Sequence, residues 1–337
     1  MTILALDVMS GDLGAQECIP AALLALASDL ELRLILVGQP EVIALELVKA
    51  NPSEALKARF EVVPASEIIF MTDSPSEAIR HKKQSSMRIA IDLVHSGRAS
   101  AVVSAGNTGA LTAISHFVLR CLPQIERAPI MSAVPNVKGT TYILDLGANI
   151  SATALQLEQF AVMGSIVARD LHGIAAPRVG LLNIGSEETK GSDLIQKAHT
   201  LLRSHTPNSR APIHYYGFVE GHDIFSGLVD VVVTDGFTGN VALKTMEGLA
   251  GLIAGRLRSE FSLNLLTKLA GLIASPVLKR VSTSLDPRRF NGAVMLGLHG
   301  VVVKSHGSAD RIALARAVSI AATAVRGQLV RHIDLAL

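Results

Sequence analysis

The chain has 337 residues, with 31 Lys+Arg against 29 Asp+Glu, 49% hydrophobic residues and 18% charged ones. So apolar a composition excludes disorder, and the length is ample for a real core. A net charge of +2 with nine Phe, three Tyr and no Trp argues against a nucleic-acid partner, which calls for a basic stripe and stacking rings.

Short runs rich in Val, Ile and Leu alternate with longer Ala/Leu-rich helical patterns. Strands are predicted at Ile3–Asp7, Leu32–Val37, Phe60–Val63, Ala101–Ser104, Ile130–Val134, Thr141–Asp145, Val179–Asn183, Ile213–Tyr216 and Val229–Thr234. Many are apolar on both faces, as in a parallel sheet covered by helices. Helices are predicted at 15–28, 40–50, 75–95, 109–121, 151–171, 191–204, 240–260 and 309–331. This alternation reads as a layered α/β/α, Rossmann-like fold with a mostly parallel sheet. Met131–Pro135 and Tyr142–Leu144 look like an antiparallel hairpin inserted into that pattern. No repeat or linker divides the chain, which is expected to form one domain over 1–337.

The start, MTILALDVMSGD, has no basic segment before its apolar run and meets Asp7 at once, unlike a signal peptide. Cys18 and Cys121 form neither a disulfide framework nor a metal pair, so a reducing cytoplasm is expected. The 21 residues from Ala99 to Leu119 carry no charge, but the SAGNTG cluster inside them reads as strand, turn and helix rather than a membrane span. Charge is uneven: residues 1–70 are net −6 and residues 256–289 net +5. An apolar, basic stretch points to an acidic partner or a membrane surface.

GxGxxG, Walker A, HExxH and GxSxG are all absent, so neither a dinucleotide fingerprint nor a serine elbow is present. Polar, glycine-rich turns recur instead where strands should end: SGDLG (Ser10–Gly14), SAGNTG (Ser104–Gly109), DLGAN (Asp145–Asn149), NIGSEETKG (Asn183–Gly191), DGFTGN (Asp235–Asn240) and KSHG (Lys304–Gly307). Ligands of open α/β sheets bind outside the carboxyl ends of the strands, where helix N-termini offer N–H groups to anions. Each turn alone is also what capping and tight turning require; six in one chain point to an anion site. The candidate ligands for that anion are Gly11, Asp12, Ser104, Gly106, Asn107, Thr108, Asn149, Gly185, Gly236, Gly239, Lys304 and His306. Lys190 suits a phosphate contact or a solvated surface. Asn240 suits an oxyanion donor or the cap of the 240–260 helix, and His306 a turn residue or a catalytic one.

Residues 261–285 carry ten Leu, Ile or Val and no acid. Leu263, Leu266, Leu269, Leu272 and Ile273 follow helical spacing, and Pro276 is expected to break a continuous helix. The segment reads either as a core helix pair at a dimer interface or as an amphipathic tip in a bilayer, with Leu266, Leu269, Leu272 and Ile273 inserted and Lys268, Lys279 and Arg280 toward the headgroups.

Taken together, MSGDLG, SAGNTG, DLGAN, NIGSEETKG, DGFTGN with Lys244 and Glu247, GAVMLGLHG and KSHG resemble the bacterial acyl-carrier-protein:phosphate acyltransferase family, the PlsX fatty acid and phospholipid synthesis proteins. They stand in the family's order from residue 7 to residue 307. Ser10 departs from the family's usual Gly, Ala15 from Pro, and Ser186 from an acid. The resemblance implies a fold similar to isopropylmalate dehydrogenase and phosphotransacetylase. It also implies a homodimer, peripheral membrane association, and transfer of a long acyl chain from acyl carrier protein to phosphate. The acyl phosphate then serves a membrane glycerol-3-phosphate acyltransferase, an indirect partner. No cofactor or metal is implied. The family's active-site Lys and Asn map onto Lys190 and Asn240. Arg256, Arg258, Lys279, Arg288 and Arg289 suit the acidic carrier protein. Phosphate is itself the nucleophile in such a reaction, which fits a chain without an evident Ser or Cys nucleophile. The rival readings are a phosphotransacetylase using acyl-coenzyme A, a metal- and NAD-dependent decarboxylating dehydrogenase, and a membrane scaffold without turnover.

Overall fold

The computed structural model describes residues 1–205 and 213–337. Eleven strands form one sheet: β1 Thr2–Asp7, β2 Leu32–Gly38, β3 Phe60–Pro64, β4 Ala101–Ser104, β5 Ile130–Asn136, β6 Gly139–Leu144, β7 Arg178–Leu182, β8 His214–Val219, β9 Val231–Val233, β10 Ala293–Met295 and β11 Val301–Lys304. Their spatial order is β3-β2-β1-β4-β11-β10-β5-β6-β9-β7-β8. The nine strands expected from sequence are all present, within a few residues of their expected ends. β10 and β11 were not expected, and they occupy the centre of the sheet.

Two parallel blocks run in opposite directions. β3, β2, β1, β4 and β11 are mutually parallel, as are β6, β9, β7 and β8. β10 and β5 join them through three antiparallel pairings, of which the expected hairpin β5–β6 is one. One row of paired residues crosses the whole sheet: Val62, Leu36, Leu6, Val103, Val303, Val294, Met131, Leu144, Val233, Leu181 and Phe218. All but Val62 at the edge are buried in one core layer. That layer is covered by the helices Ala15–Ser28, Ala154–Asp170, Asp193–Ser204, Arg311–Arg326 and Leu329–Ala336. The other face is covered by Ser86–His95 and Thr108–Leu119, and by Leu243 and Met246 of the helix Gly236–Ser262.

The position after this row is polar on five strands: Asp7, Ser104 and Lys304 in one block, Asp145 and Thr234 in the other. All five are buried. Side chains alternate along a strand, so all five turn away from the apolar row toward the opposite face. Because the blocks run oppositely, the two polar groups lie one step to either side of the row. β10 and β5 separate them laterally, three strand spacings or about 14 Å between β11 and β6.

Three helical expectations change. The 75–95 pattern is two helices, Pro75–His81 and Ser86–His95, because Ser85 caps the second by accepting the Arg88 N–H. The 309–331 pattern divides at Gly327 and Gln328, the latter left-handed at φ 51°. Pro276 does not break the 265–284 helix. Its missing N–H leaves the Leu272 carbonyl without its helical donor, a modest loss at two exposed residues.

Phe160, fully buried among the largest core side chains, lies in the helix over the second block. Phe160→Ala is expected to lower the unfolding free energy by about 3–5 kcal/mol, read from the urea midpoint at unchanged slope.

Candidate active site

In the first block three turns interlock. The Asp12 N–H donates to the Gly307 carbonyl at 2.8 Å. Gly11 has φ +84°, and a Cβ there would lie 3.0 Å from Gly307 O and 3.1 Å from the Ala105 Cβ. The backbone conformation and the crowding both require glycine. Ser10, at a position where glycine was the expected residue, puts its hydroxyl to use. It donates to the Asp7 carbonyl at 2.7 Å and accepts the Ala105 N–H at 2.9 Å, tying the first turn to the second.

Several expected ligands are occupied inside this scaffold. The Ser104 hydroxyl donates to Asp7 Oδ2 at 2.7 Å and accepts the Gly106 N–H. Asn107 caps the helix Thr108–Leu119, its Oδ1 accepting the Ala110 N–H. Its Nδ2 donates to the carbonyls of Phe70, Met71 and Asp73. Ser104 and Asn107 are therefore supports of the turn rather than free ligands. Thr108 stands at the first turn of that helix and Asp12 is exposed. The exposed His306 directs Nδ1 to the Ser308 hydroxyl at 2.9 Å, as a turn residue does.

Lys304 is the buried cation of the cradle. Its Nζ donates to the carbonyls of Ala105 and Ser305. Burial pushes its pKa down to about 8, with the nearby Lys244 ammonium adding to the fall and Asp12 and Asp7 opposing it. The Lys244 effect brings the two halves of the site together, because Lys244 belongs to the helix Gly236–Ser262 of the second block. Asp7 is fully buried, and burial raises its pKa against the opposing effect of the nearby Ser86, Ser104 and Ser10 hydroxyls, of which Ser104 donates to the carboxylate. Its Oδ1 has no hydrogen-bond partner.

In the second block Asp145 knots the DLGAN turn. Its Oδ1 accepts the N–H groups of Ile130, Gly147 and Ala148, and its Oδ2 accepts the Asn149 N–H and the Asn149 side-chain amide. Asn149 also donates to the Ala128 carbonyl, so its amide nitrogen supports the turn and is not free for a ligand. The DGFTGN helix presses on this knot. A Cβ at Gly236 would be 2.5 Å from Asn149 O, and one at Gly239 only 1.9 Å from Asp145 O. Asp235 is the cap, accepting the Thr238 N–H at 2.9 Å. Asn240 is therefore not a cap. It lies in the second turn with its side chain against Gly147, Cγ 3.4 Å from the position of a Cβ there. Among the described residues its exposed amide makes no hydrogen bond.

The NIGSEETKG loop follows β7, beside β9. Asn183 organises it by donating to the Lys190 carbonyl and accepting the Ile184 N–H. The buried Gly185 lies against the Lys190 side chain, and Gly191 has φ +98°. The exposed Lys190 ammonium has no ion pair among the described residues, and no hydrogen bond joins it to Asn240.

Arg256, Arg258 and Lys279 lie exposed on two helices, Gly236–Ser262 and Leu265–Ser284, that pack on each other. Arg288 and Arg289 lie elsewhere. They line a groove of about 1370 Å³ with Met131, Tyr142, Arg316 and Arg326, and Arg288 is paired to Asp286 and Asp310. Arg288 thus reaches the surface with its charge shared between two carboxylates. Sequence reasoning placed Asp7, Ser10, Asp145 and Lys244 in or beside its motifs but did not count them among the site residues. The signal for the two acids was present: each is the first polar residue after an apolar strand.

The family model described as fatty acid synthesis protein matches residues 2–332. A phosphate acyltransferase of Alkalilimnicola ehrlichii is 53% identical over 331 residues, 98% of this chain and 94% of its own. One of Methylococcus capsulatus is 53% identical over 321 residues, 95% and 92%. Among solved structures, the EutD phosphotransacetylase from Staphylococcus aureus matches with a TM-score of 0.64 at 14% identity, covering 96% of this chain and 94% of its own. At that identity the likeness shows the fold alone.

The buried Lys304 generates a pH dependence. Its ammonium is present below about pH 8 and lost above it. Between about pH 8 and pH 9.5 inorganic phosphate stays a dianion, so a change there reports the protein. Calorimetric phosphate affinity is expected to fall by up to about tenfold per pH unit across that range, and Lys304→Met to flatten the profile.

Proposed function

The chain belongs to the fatty acid synthesis protein family and is a phosphate acyltransferase, and we propose from that premise how its residues divide the transfer of an acyl group from acyl carrier protein to phosphate for phospholipid synthesis. The reading rests on one observation. Interlocked glycine turns and a nine-tenths-buried lysine form a cradle on one side, and an unpartnered amide and ammonium stand on the other.

Phosphate sits against the turns of the first block, held by backbone N–H groups and Lys304. One phosphate oxygen attacks the thioester carbonyl carbon, and the carbonyl oxygen takes up the negative charge. The C–S bond then breaks, the acyl–oxygen bond remains, and the carrier's thiol leaves as a thiolate. A thiol with an ordinary pKa near 8.5 leaves without a strong acid. The protein's contribution is position and charge. Holding both reactants supplies effective molarity, and the Asn240 amide donates to the oxyanion while Lys190 offsets charge on phosphate. The Asn240 side chain is fixed against Gly147 by the close seating of its helix, so the donor is preorganised.

The paired helices serve the substrate's two ends. Arg256, Arg258 and Lys279, without ion pairs among the described residues, receive the acidic carrier. Leu266, Leu269, Leu272 and Ile273 are exposed, Leu266 by 79%, and no residue of 265–283 is buried. The segment is therefore no core helix of this chain. Among the described residues no helix is long and apolar enough to cross a membrane. The apolar end rests on an anionic bilayer, and the working unit is a homodimer.

Lys190→Ala and Asn240→Ala are each expected to lower phosphate-dependent turnover of acyl-acyl carrier protein by about 10²-fold, with folding unchanged by circular dichroism. Near-normal rates in either would remove that residue from the mechanism. Higher activity on acyl-coenzyme A than on the carrier thioester would favour the phosphotransacetylase reading.

Replacing Leu266, Leu269 and Leu272 together by Glu is expected to abolish salt-sensitive binding to anionic liposomes while turnover survives. If light scattering shows that the same changes split a dimer, the segment is an interface between chains and the membrane reading fails.

A further inference from the structure

We propose that Phe70 and Met71 form the apolar lip that receives the start of the acyl chain, and that Asn107 is the positioning residue that holds this lip beside the phosphate cradle. The inference rests on the acyl-transfer reading above and adds the residues that measure the chain.

Phe70 and Met71 are more than half exposed, two large apolar side chains on a loop beside polar turns. Their place is fixed by side chains. Asn107 Nδ2 donates to Met71 O at 3.0 Å and to Asp73 O at 2.9 Å, with a longer contact of 3.4 Å to Phe70 O. Lys82 makes a second tie. It pairs with Asp73, donates to the Ile68 carbonyl and lies 4.8 Å over the Phe70 ring. The Asp73 carboxylate also accepts the Phe70 N–H at 2.7 Å. The ordered loop therefore keeps its apolar tip out in solvent, a placement that hydrophobic burial alone would not choose.

The tip adjoins the cradle. The Met71 methyl lies 3.8 Å from the position a Cβ would take at Gly307, which is 3.4 Å from Asp12 Oδ1 and 3.8 Å from Ala105 O. One point thus touches the apolar tip and both turns that flank Lys304. A thioester carbonyl placed over bound phosphate would send its first methylenes toward one side of the cradle, and this is the apolar side. Asn107 couples the two, since one end of its amide caps the helix of the phosphate turn and the other carries the lip. Each methylene buried there is worth about fourfold in binding.

The test compares acyl-acyl carrier protein donors of four and sixteen carbons with phosphate in excess. For Phe70→Ala/Met71→Ala, KM for the long donor is expected to rise about tenfold or more. KM for the short donor and for phosphate should stay within about twofold. Both residues are exposed, so the melting temperature should hold. Asn107→Ser keeps a capping oxygen but cannot reach three carbonyls. It should reproduce the loss of chain-length discrimination and speed hydrogen exchange at residues 67–74 while the helix Thr108–Leu119 stays protected. A merely structural role would slow both donors alike. An unchanged long-to-short ratio in the double variant, or an equal rise in KM for both donors, overturns the proposal. Absence of acyl phosphate with the unaltered protein would instead defeat the acyl-transfer reading itself.

Discussion

The close seating of one helix on one turn sets most of the second half of the site. The helix Gly236–Ser262 approaches the Asp145–Asn149 turn so tightly that a methyl group at Gly239 would overlap the Asp145 carbonyl at 1.9 Å. Two glycines therefore decide the helix's direction. That direction sets the Asn240 side chain against Gly147, brings Lys244 near enough to Lys304 to depress its pKa, and sends the far end of the helix out from the sheet. A side chain at Gly239 would change all three at once.

The turns need such rigidity because they carry little apolar packing. Their stability comes from polar groups used twice. Asp145 collects five N–H donors, the Asn149 side-chain amide donates twice, and the Ser104 and Ser10 hydroxyls each donate once and accept once. Buried polar atoms satisfied in this way avoid the penalty of leaving water unpaired. The groups left over for a ligand are few: backbone N–H groups of the turns, Lys304, Lys190 and Asn240. A site for a small anion needs no more, provided those few are held still.

Strand-level features were most legible where a strand is an uninterrupted apolar run ending in a polar residue. Leu4 to Asp7 and Val102 to Ser104 are read almost without error. β10 and β11 were harder. Ala293–Met295 and Val301–Lys304 are three and four residues long and separated by two glycines, Gly297 and Gly300, so they read as loop. What no strand reading supplies is direction. The opposite sense of the two blocks is a property of pairing across the sheet, and it puts Lys304 and Asp145 one step to either side of the apolar row. At the site, residue types were legible but their occupations were not. Ser104, Asn107 and Asn149 have the chemistry of ligands and are consumed by the scaffold, which only the hydrogen-bond partners reveal. Ser85 and Gly327 were readable signals for the two divided helices, as a cap and a stop inside longer periodic runs.

The paired helices tie chemistry to surface. A helix of 27 residues is about 40 Å long. Its first turns carry Asn240 and Lys244, and its last turn carries Phe261 toward the next helix, where Gly271 makes room for the Phe261 ring. Beyond it Leu263, Leu265 and Leu266 are each at least 64% exposed. Burying any one of them fully is worth about 1.5–3 kcal/mol, so the three together contribute about 4.5–9 kcal/mol toward docking the segment on an apolar phase. Lys268, Lys279 and Arg280 lie on the following helix, and no acid lies between Glu260 and Asp286 to offset them. A surface that takes up those leucines also meets those bases. The helix that carries Asn240 ends where these leucines begin, so on the membrane reading proposed above docking the tip would set where the acyl phosphate is released relative to that surface.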